Sequence, residues 1–209
     1  MTGKIKLNAA SGGGSVSFQA PSSTGDDRVI TLPTTADGTV LTTTNPKAGN
    51  IIQVVSSIKT DTSSCELSSG SFSNSTQTGI QVSITPSNAN NKILLFGMIN
   101  VDVAGQQFNI GVVFDKGGSI ITGSQGDAAG NRKLVTALGD ASRHDSYSET
   151  INLHYLDTAG GTSAITYGLA VNNPSSITRY VYINRSVTDT DETYHRRAVS
   201  TITAMEVAA

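Results

Sequence analysis

The segment KILLFGMINVDV at positions 92–103 constrains the fold most, because it is apolar on both faces when it is read as a strand. Alternate side chains of a strand point to opposite sides. Two apolar sets result, one of Ile93, Leu95, Ile99 and Val101, the other of Leu94, Phe96 and Met98. Both faces need a cover. The sequence predicts that a neighbouring copy of the chain covers the second face, with a loop of the same chain as the alternative.

The remainder of the chain also has the two-residue periodicity of strands, and helical periodicity is almost absent. Lys116-Gly117-Gly118 predicts the turn of one hairpin, and Asp157–Gly161 predicts the turn of a second, between strands at 150–156 and 164–171. Eight or more strands separated by turn signals are typical of a sandwich or jelly roll. The predicted fold class is therefore all-β, a jelly-roll sandwich.

The composition bounds the partners. Charged residues make up 14% of the 209, against roughly a quarter in ordinary globular proteins, and the net charge is −2. Lys and Arg form no cluster, which argues against a nucleic-acid partner. Apolar residues reach only 37% and Trp is absent, which indicates either that much of the chain is disordered or that a β-protein completes its core by association. No apolar run of 18 residues is present, so we expect no membrane insertion.

The first 46 residues form a segment of different composition. Short strands are predicted near Val16, Ile30 and Val40, with Gly12-Gly13-Gly14 before them as a flexible joint. The polar stretch that ends at Pro46 predicts a boundary, which divides the chain into an attachment or shaft segment, 1–46, and a jelly-roll domain, 47–209.

Several segments together resemble a known class of proteins. QAPSSTGDDRVITLPTTADGTVLTTT at 19–44 is similar to a segment of tail-fibre and other virion structural proteins of bacteriophages, marine ones especially. The segments SITPSNANNKILL, LHYLDTAGGTSAITYGLAV, YVYINRS and STITAMEV resemble their terminal domain. That domain resembles the trimeric jelly roll of complement-type and tumour-necrosis-factor-like modules.

This resemblance implies a virion protein without enzymatic activity, a homotrimer whose N-terminal segment attaches to other virion proteins. Its knob would then contact a glycan or protein of the bacterial surface. The expected core between chains consists of Val16, Phe18, Ile30, Leu32, Val40 and Leu41 in the shaft, with Leu94, Phe96 and Met98 in the knob. Long fibres carry many shaft units, whereas this chain has about one. A short spike, a fibre tip, or a capsid-decorating or collar protein therefore all remain open.

The sequence predicts candidate receptor-binding residues but no catalytic or metal site. No catalytic motif is present, and no cofactor is expected. The cluster Asp189-Thr190-Asp191-Glu192 lacks the spacing of a calcium loop, so no metal site is predicted. His154 is expected on the outer face of its strand or at a subunit contact. The candidate receptor-binding residues, in the loops 123–145 and 188–197, are Arg143, His144, Tyr194, His195 and Arg196.

Overall fold

The computed structural model describes residues 4–19, 25, 46–105, 109–140, 145–173 and 175–209. The chain forms two compact units, Met1–Val40 and Leu41–Ala209. The boundary expected after residue 46 remains a prediction. No helix in the described ranges has the length and apolar character that crossing a membrane requires.

In the first unit, the strands β1 (Lys4–Asn8) and β2 (Ser15–Gln19) form an antiparallel hairpin. Gly12 and Gly13 have φ values of 83° and 68°, a left-handed conformation that glycine adopts without strain. The amide of Ala9 closes the turn by donating to the carbonyl oxygen of Gly14, at 2.8 Å. The glycines predicted as a flexible joint are therefore the turn of a hairpin, whose first strand the sequence analysis missed.

The described residues of the second unit form eleven strands and one short helix. The strands are β3 (Ile51–Lys59), β4 (Ser63–Leu67), β5 (Gln81–Ile84), β6 (Lys92–Val103), β7 (Ile110–Lys116), β8 (Ser119–Ile120), β9 (Ala137–Gly139), β10 (Glu149–Thr158), β11 (Ile165–Val171), β12 (Arg179–Ile183) and β13 (Ser200–Val207). The helix is α1 (Ser75–Thr78), and a 3-10 turn spans Thr122–Ser124.

Two antiparallel sheets make up this unit. In the larger sheet, β10 pairs with one edge of β6, while β13 and β12 pair one after the other along the opposite edge. β3 continues the sheet beside β13, and β4 continues it beside β12. The smaller sheet has the order β5-β11-β7, with β8 and β9 along the far edge of β7. Of the ten connections between consecutive described strands, six pass from one sheet to the other, as in a jelly roll. The predicted all-β jelly-roll sandwich is confirmed.

The core lies between the two sheets, where alternate residues of the strands interlock. From the larger sheet come Ile93, Leu95, Ile99, Ile151, Leu153 and Ile202, and from the smaller sheet come Val82, Ile84, Val112, Phe114, Tyr167 and Leu169. Cys65 of β4 is buried at the edge of this core, and burial raises the pKa of its thiol. Cys65 packs there as a small apolar side chain.

One of the two predicted hairpins is correct and the other is wrong. β7 and β8 pair across Gly117-Gly118 as expected. β10 and β11 do not pair, since β10 joins β6 in the larger sheet and β11 lies between β5 and β7 in the smaller one. The connection between them is tied to a different loop. The amides of Ala159 and Gly160 donate to the carbonyl oxygens of Asn91 and Ala89, both at 2.9 Å, so the chain crosses the sandwich here.

Candidate functional site

The outer face of the larger sheet carries an apolar row that runs across four strands. The pairing registers place Val54 of β3, Met205 of β13, Leu94 of β6 and Leu156 of β10 side by side on this face. Directly opposed side chains in a sheet lie about 5 Å apart, so the four make one continuous strip. Val54 and Leu156 are 53% and 52% exposed, and the two central residues are half-buried.

Two further rows continue the same face. The next row is Ser56, Thr203, Phe96 and His154, and the one after it is Ile58, Thr201, Met98 and Asn152. None of these side chains is Lys, Arg, Asp or Glu. A shallow depression of about 220 Å³ lies between the last two rows, lined by Phe96, Met98, Asn152, His154, Thr201 and Thr203 among others. We call these three rows the outer face.

Phe96 and His154 occupy the centre of the outer face. Phe96 is 45% exposed, and its ring centroid lies 6.4 Å from that of His154. Leu94 and Met98 flank Phe96 on β6 and are half-buried. The placement of Leu94, Phe96 and Met98 on one side of the strand, opposite the core, is confirmed, as is the outward position of His154. Their role in contacts between chains remains a prediction.

The outer face of the smaller sheet is covered by the chain itself. Val113 and Ala170 point outward there and are fully buried. At one end the backbone amide and hydroxyl of Ser75, the first residue of α1, donate to the Asp115 carboxylate at 2.7 and 2.9 Å. At the other end Val135, from the loop after β8, packs directly on Gly111. In the described part of the chain, nothing comparable lies over the larger sheet at the three rows.

The hairpin of the first unit has an apolar face of its own. Ile5 pairs with Phe18 and Leu7 with Val16, so these four side chains lie on one side. All four are exposed. A two-stranded hairpin is marginally stable alone, so this face needs a partner surface. Of the expected shaft residues, Val16 and Phe18 lie here, whereas Ile30, Leu32, Val40 and Leu41 lie outside the described residues.

A second candidate site lies where two loops of the second unit meet. The loop before β10 and the loop between β12 and β13 enclose an open depression of about 230 Å³, which we call the loop pocket. Its lining residues are Ser146, Tyr147, Ser148, Ser186, Tyr194 and Arg196. Both tyrosine side chains are well exposed, and Ser186 is buried.

The three arginines of the longer loop differ in their partners. Arg185 lies over the ring of Tyr182, 4.1 Å from its centroid, and 3.8 Å from the carboxylate of Asp189. Arg197 donates to the same carboxylate at 2.7 Å. Arg196 has no hydrogen bond or ion pair with any described residue. The Asp189 carboxylate is therefore the partner of both Arg185 and Arg197. No group of three or more His, Cys, Asp or Glu side chains that could hold a metal ion occurs in the described ranges.

A buried carboxylate holds the start of this loop. Asp102 of β6 is fully buried and accepts hydrogen bonds from the amides of Val103 and Val187, both at 2.8 Å. Burial raises the pKa of Asp102 to about 7, although the two amide hydrogen bonds oppose this shift. The amide of Thr188 donates to the carbonyl oxygen of Asp145 at 2.6 Å, which joins the two loops.

The expected receptor-binding residues are distributed unevenly. Tyr194 and Arg196 line the loop pocket. His195 does not. Its Nδ1 lies 2.8 Å from the hydroxyl of Thr190, and its ring packs at 4.5 Å against that of Tyr194. Arg143 and His144 lie outside the described residues. Binding by any of these residues remains a prediction.

The sequence analysis missed Tyr147 and the three serines of the loop pocket. Ser-Tyr-Ser at 146–148 immediately precedes a strand, and that is the only local signal that could have singled it out. Its approach to Ser186 and Tyr194 depends on how the two loops fold together.

Comparisons with known proteins give little further. No family model and no curated protein matches the chain. Among solved structures, the chain is similar to one titled "Structure of infectious bursal disease virus Gx strain", with 11% identity and a TM-score of 0.39, over 94% of this chain. A second, the infectious bursal disease virus VP2 subviral particle, has 10% identity and a TM-score of 0.33 over 93% of this chain. The chain spans about half the length of each, 47%.

Proposed function

We propose that this chain is a structural protein of a virus particle, without catalytic activity, and that it works as a homotrimer. The observation that carries the proposal is the uncovered outer face of the larger sheet. Contiguous exposed apolar surface on a soluble protein marks an interaction site. Here the surface spans four strands and carries no Lys, Arg, Asp or Glu in its three rows.

The proposed occupant of the outer face is the same face of two further copies. Hydroxyls and apolar groups dominate it, so it can meet a copy of itself without opposing like charges. In a closed trimer all three chains turn the same face inward, and the cyclic symmetry leaves no copy of it exposed. The 37% apolar content of the chain, low for a chain that buries its own core, fits completion by association.

The virion role is supported by the resemblance of several sequence segments to bacteriophage fibre proteins. Within that role we propose a short spike or fibre tip that attaches the particle to the bacterial surface. The N-terminal unit would join other virion proteins, and the apolar face of the β1-β2 hairpin, with Ile5, Leu7, Val16 and Phe18, supplies a surface for that contact. A capsid-decorating or collar protein is the second candidate, because the resemblance extends to virion structural proteins other than tail fibres.

Two measurements test the trimer and the position on the virus particle separately. Sedimentation equilibrium of the full chain at micromolar concentration should give three times the chain mass of 21.6 kDa. A compact monomer under those conditions would overturn the trimer. Electron microscopy of virus particles labelled with an antibody against the chain would place it on the tail, as proposed, or on the capsid, as the second candidate requires.

A further inference from the structure

We propose that the loop pocket binds an acidic sugar, a pyranose that carries a carboxylate, as the surface ligand of the particle. The inference rests on the proposed function, since it names the class of receptor for the attachment role. It depends on the chemistry of three side chains, Arg196, Tyr194 and Tyr147, and on the neighbouring Ser148.

The charge of Arg196 is the reason to expect a carboxylate on the ligand. A guanidinium stays protonated at any physiological pH and presents a fork of donors that matches a carboxylate. Arg185 and Arg197 already use Asp189 as their partner, whereas Arg196 is left without one among the described residues. An exposed arginine at the wall of a pocket, with no carboxylate partner among the described residues, can bind a ligand that carries a carboxylate at that point.

The tyrosine rings and the serine hydroxyl at the loop pocket are the reason to expect a pyranose. A pyranose presents apolar C–H groups on one face and hydroxyls at its rim. Tyr147 and Tyr194 offer exposed ring surface, 65% and 57% exposed, for the apolar face. Ser148 lies beside them at the wall of the loop pocket, and its hydroxyl suits the rim. A bare inorganic anion would use the arginine and leave the rings unused, and a neutral sugar would leave the arginine unmatched.

The pocket is held before any ligand binds. The loop between β12 and β13 is held in place by two contacts. Asp102 accepts a hydrogen bond from the amide of Val187, and Arg197 forms an ion pair with Asp189 at 2.7 Å. The hydroxyl of Ser186 donates to the carbonyl oxygen of Thr188 at 2.7 Å. A site that is already ordered loses less conformational entropy on binding. In a trimer, three such pockets on one rigid body would add avidity to a weak single-site affinity.

The test compares two probes that differ only at C6 of the sugar. Methyl β-D-glucuronide and methyl β-D-glucoside, each coupled to a soluble polymer, are immobilised, and the full chain is passed over both. The expected result is retention on the glucuronide polymer and at least about tenfold weaker retention on the glucoside polymer, since one charge-assisted contact is lost. Equal retention on the two, or none on either, would overturn the inference.

Variants localise the binding. Arg196→Gln should lose the preference for the glucuronide, Arg196→Lys should keep part of it, and Tyr194→Ala should weaken both interactions. Arg132→Gln is the matched control, because it removes the same charge from an exposed arginine in the loop after β8 and should change nothing. Binding by Arg196→Gln at the level of the unaltered chain would refute the assignment, provided that circular dichroism shows the same fold. Sedimentation of the same samples shows whether the trimer is intact, and so distinguishes a wrong assignment of the loop pocket from a wrong assignment of the trimer.

Discussion

Replacing Leu156 with aspartate should abolish the proposed trimer without unfolding the chain. Leu156 is 52% exposed at the end of the apolar row, beside Leu94. Burying a whole leucine side chain contributes about 1.5–3 kcal/mol, so covering the exposed half contributes about 1 kcal/mol per chain. The carboxylate of the variant would also have to leave water, at a cost of several kcal/mol per charge. Summed over three chains, this loss exceeds what a micromolar assembly can tolerate.

The assay is sedimentation velocity at micromolar concentration, with thermal unfolding as a check on the fold. Leu138→Asp is the matched control, because Leu138 is 64% exposed on β9 of the smaller sheet and the substitution is chemically identical. Both variants should fold, since an exposed substitution changes the free energy of unfolding by about 0.5 kcal/mol. Only Leu156→Asp should sediment as a monomer. Unchanged trimers of Leu156→Asp would refute the assignment of the outer face, and dissociation of Leu138→Asp would move the interface to the smaller sheet.

Three further predictions concern the fold. Because burial raises the pKa of Asp102 to about 7, the folded chain keeps a proton that the unfolded chain releases near pH 4. The free energy of unfolding should therefore fall by up to about 4 kcal/mol between pH 4 and 7, and urea titrations of Asp102→Asn should lack this slope. A Cβ on Gly168 would lie 1.9 Å from the Cβ of Ser75, so Gly168→Ala should cost about 1–3 kcal/mol, whereas Gly161→Ala, which meets open space, should be neutral in the same titration. Cleavage after Pro46 should leave a soluble domain that contains the whole sandwich, and only aggregate in gel filtration would contradict this.

The sequence predicts which segments are strands better than it predicts which strands pair. The alternation at 150–156 and 164–171 correctly indicates two strands, yet their pairing as a hairpin is wrong. Alternation indicates only that one side of a strand is buried, and a strand in either of the two sheets of a sandwich meets this condition. The decisive bonds, from Ala159 and Gly160 to the loop at 89–91, join residues far apart in the chain. Gly12-Gly13-Gly14 shows the same ambiguity, because glycine suits a flexible joint and a tight turn alike.

The loop pocket illustrates the corresponding limit for sites. Tyr194 and Arg196 could be proposed from a polar loop with aromatic and cationic side chains. That Arg197 has a partner while Arg196 has none among the described residues depends on where Asp189 points, which no local pattern encodes. Likewise Tyr147 lies almost fifty residues before Tyr194, and only the joining of the two loops, through Thr188 and Asp145, brings it to the same depression.

Two strands at the centre of the sandwich show why the outer face matters. β6 is apolar on both sides in the sequence, whereas the outward side of β7 carries Gly111, Val113 and Asp115, and the outward apolar side chains of both strands need a second cover. For β7 the chain provides the second cover itself, with α1 and the loop that carries Val135, so that Val113 is fully buried. For β6 no described residue does so, and Phe96 is left 45% exposed. The chain thus covers the outward side of β7 itself and leaves that of β6 open, and we propose that further copies of the chain cover the outer face, whose three rows contain no Lys, Arg, Asp or Glu.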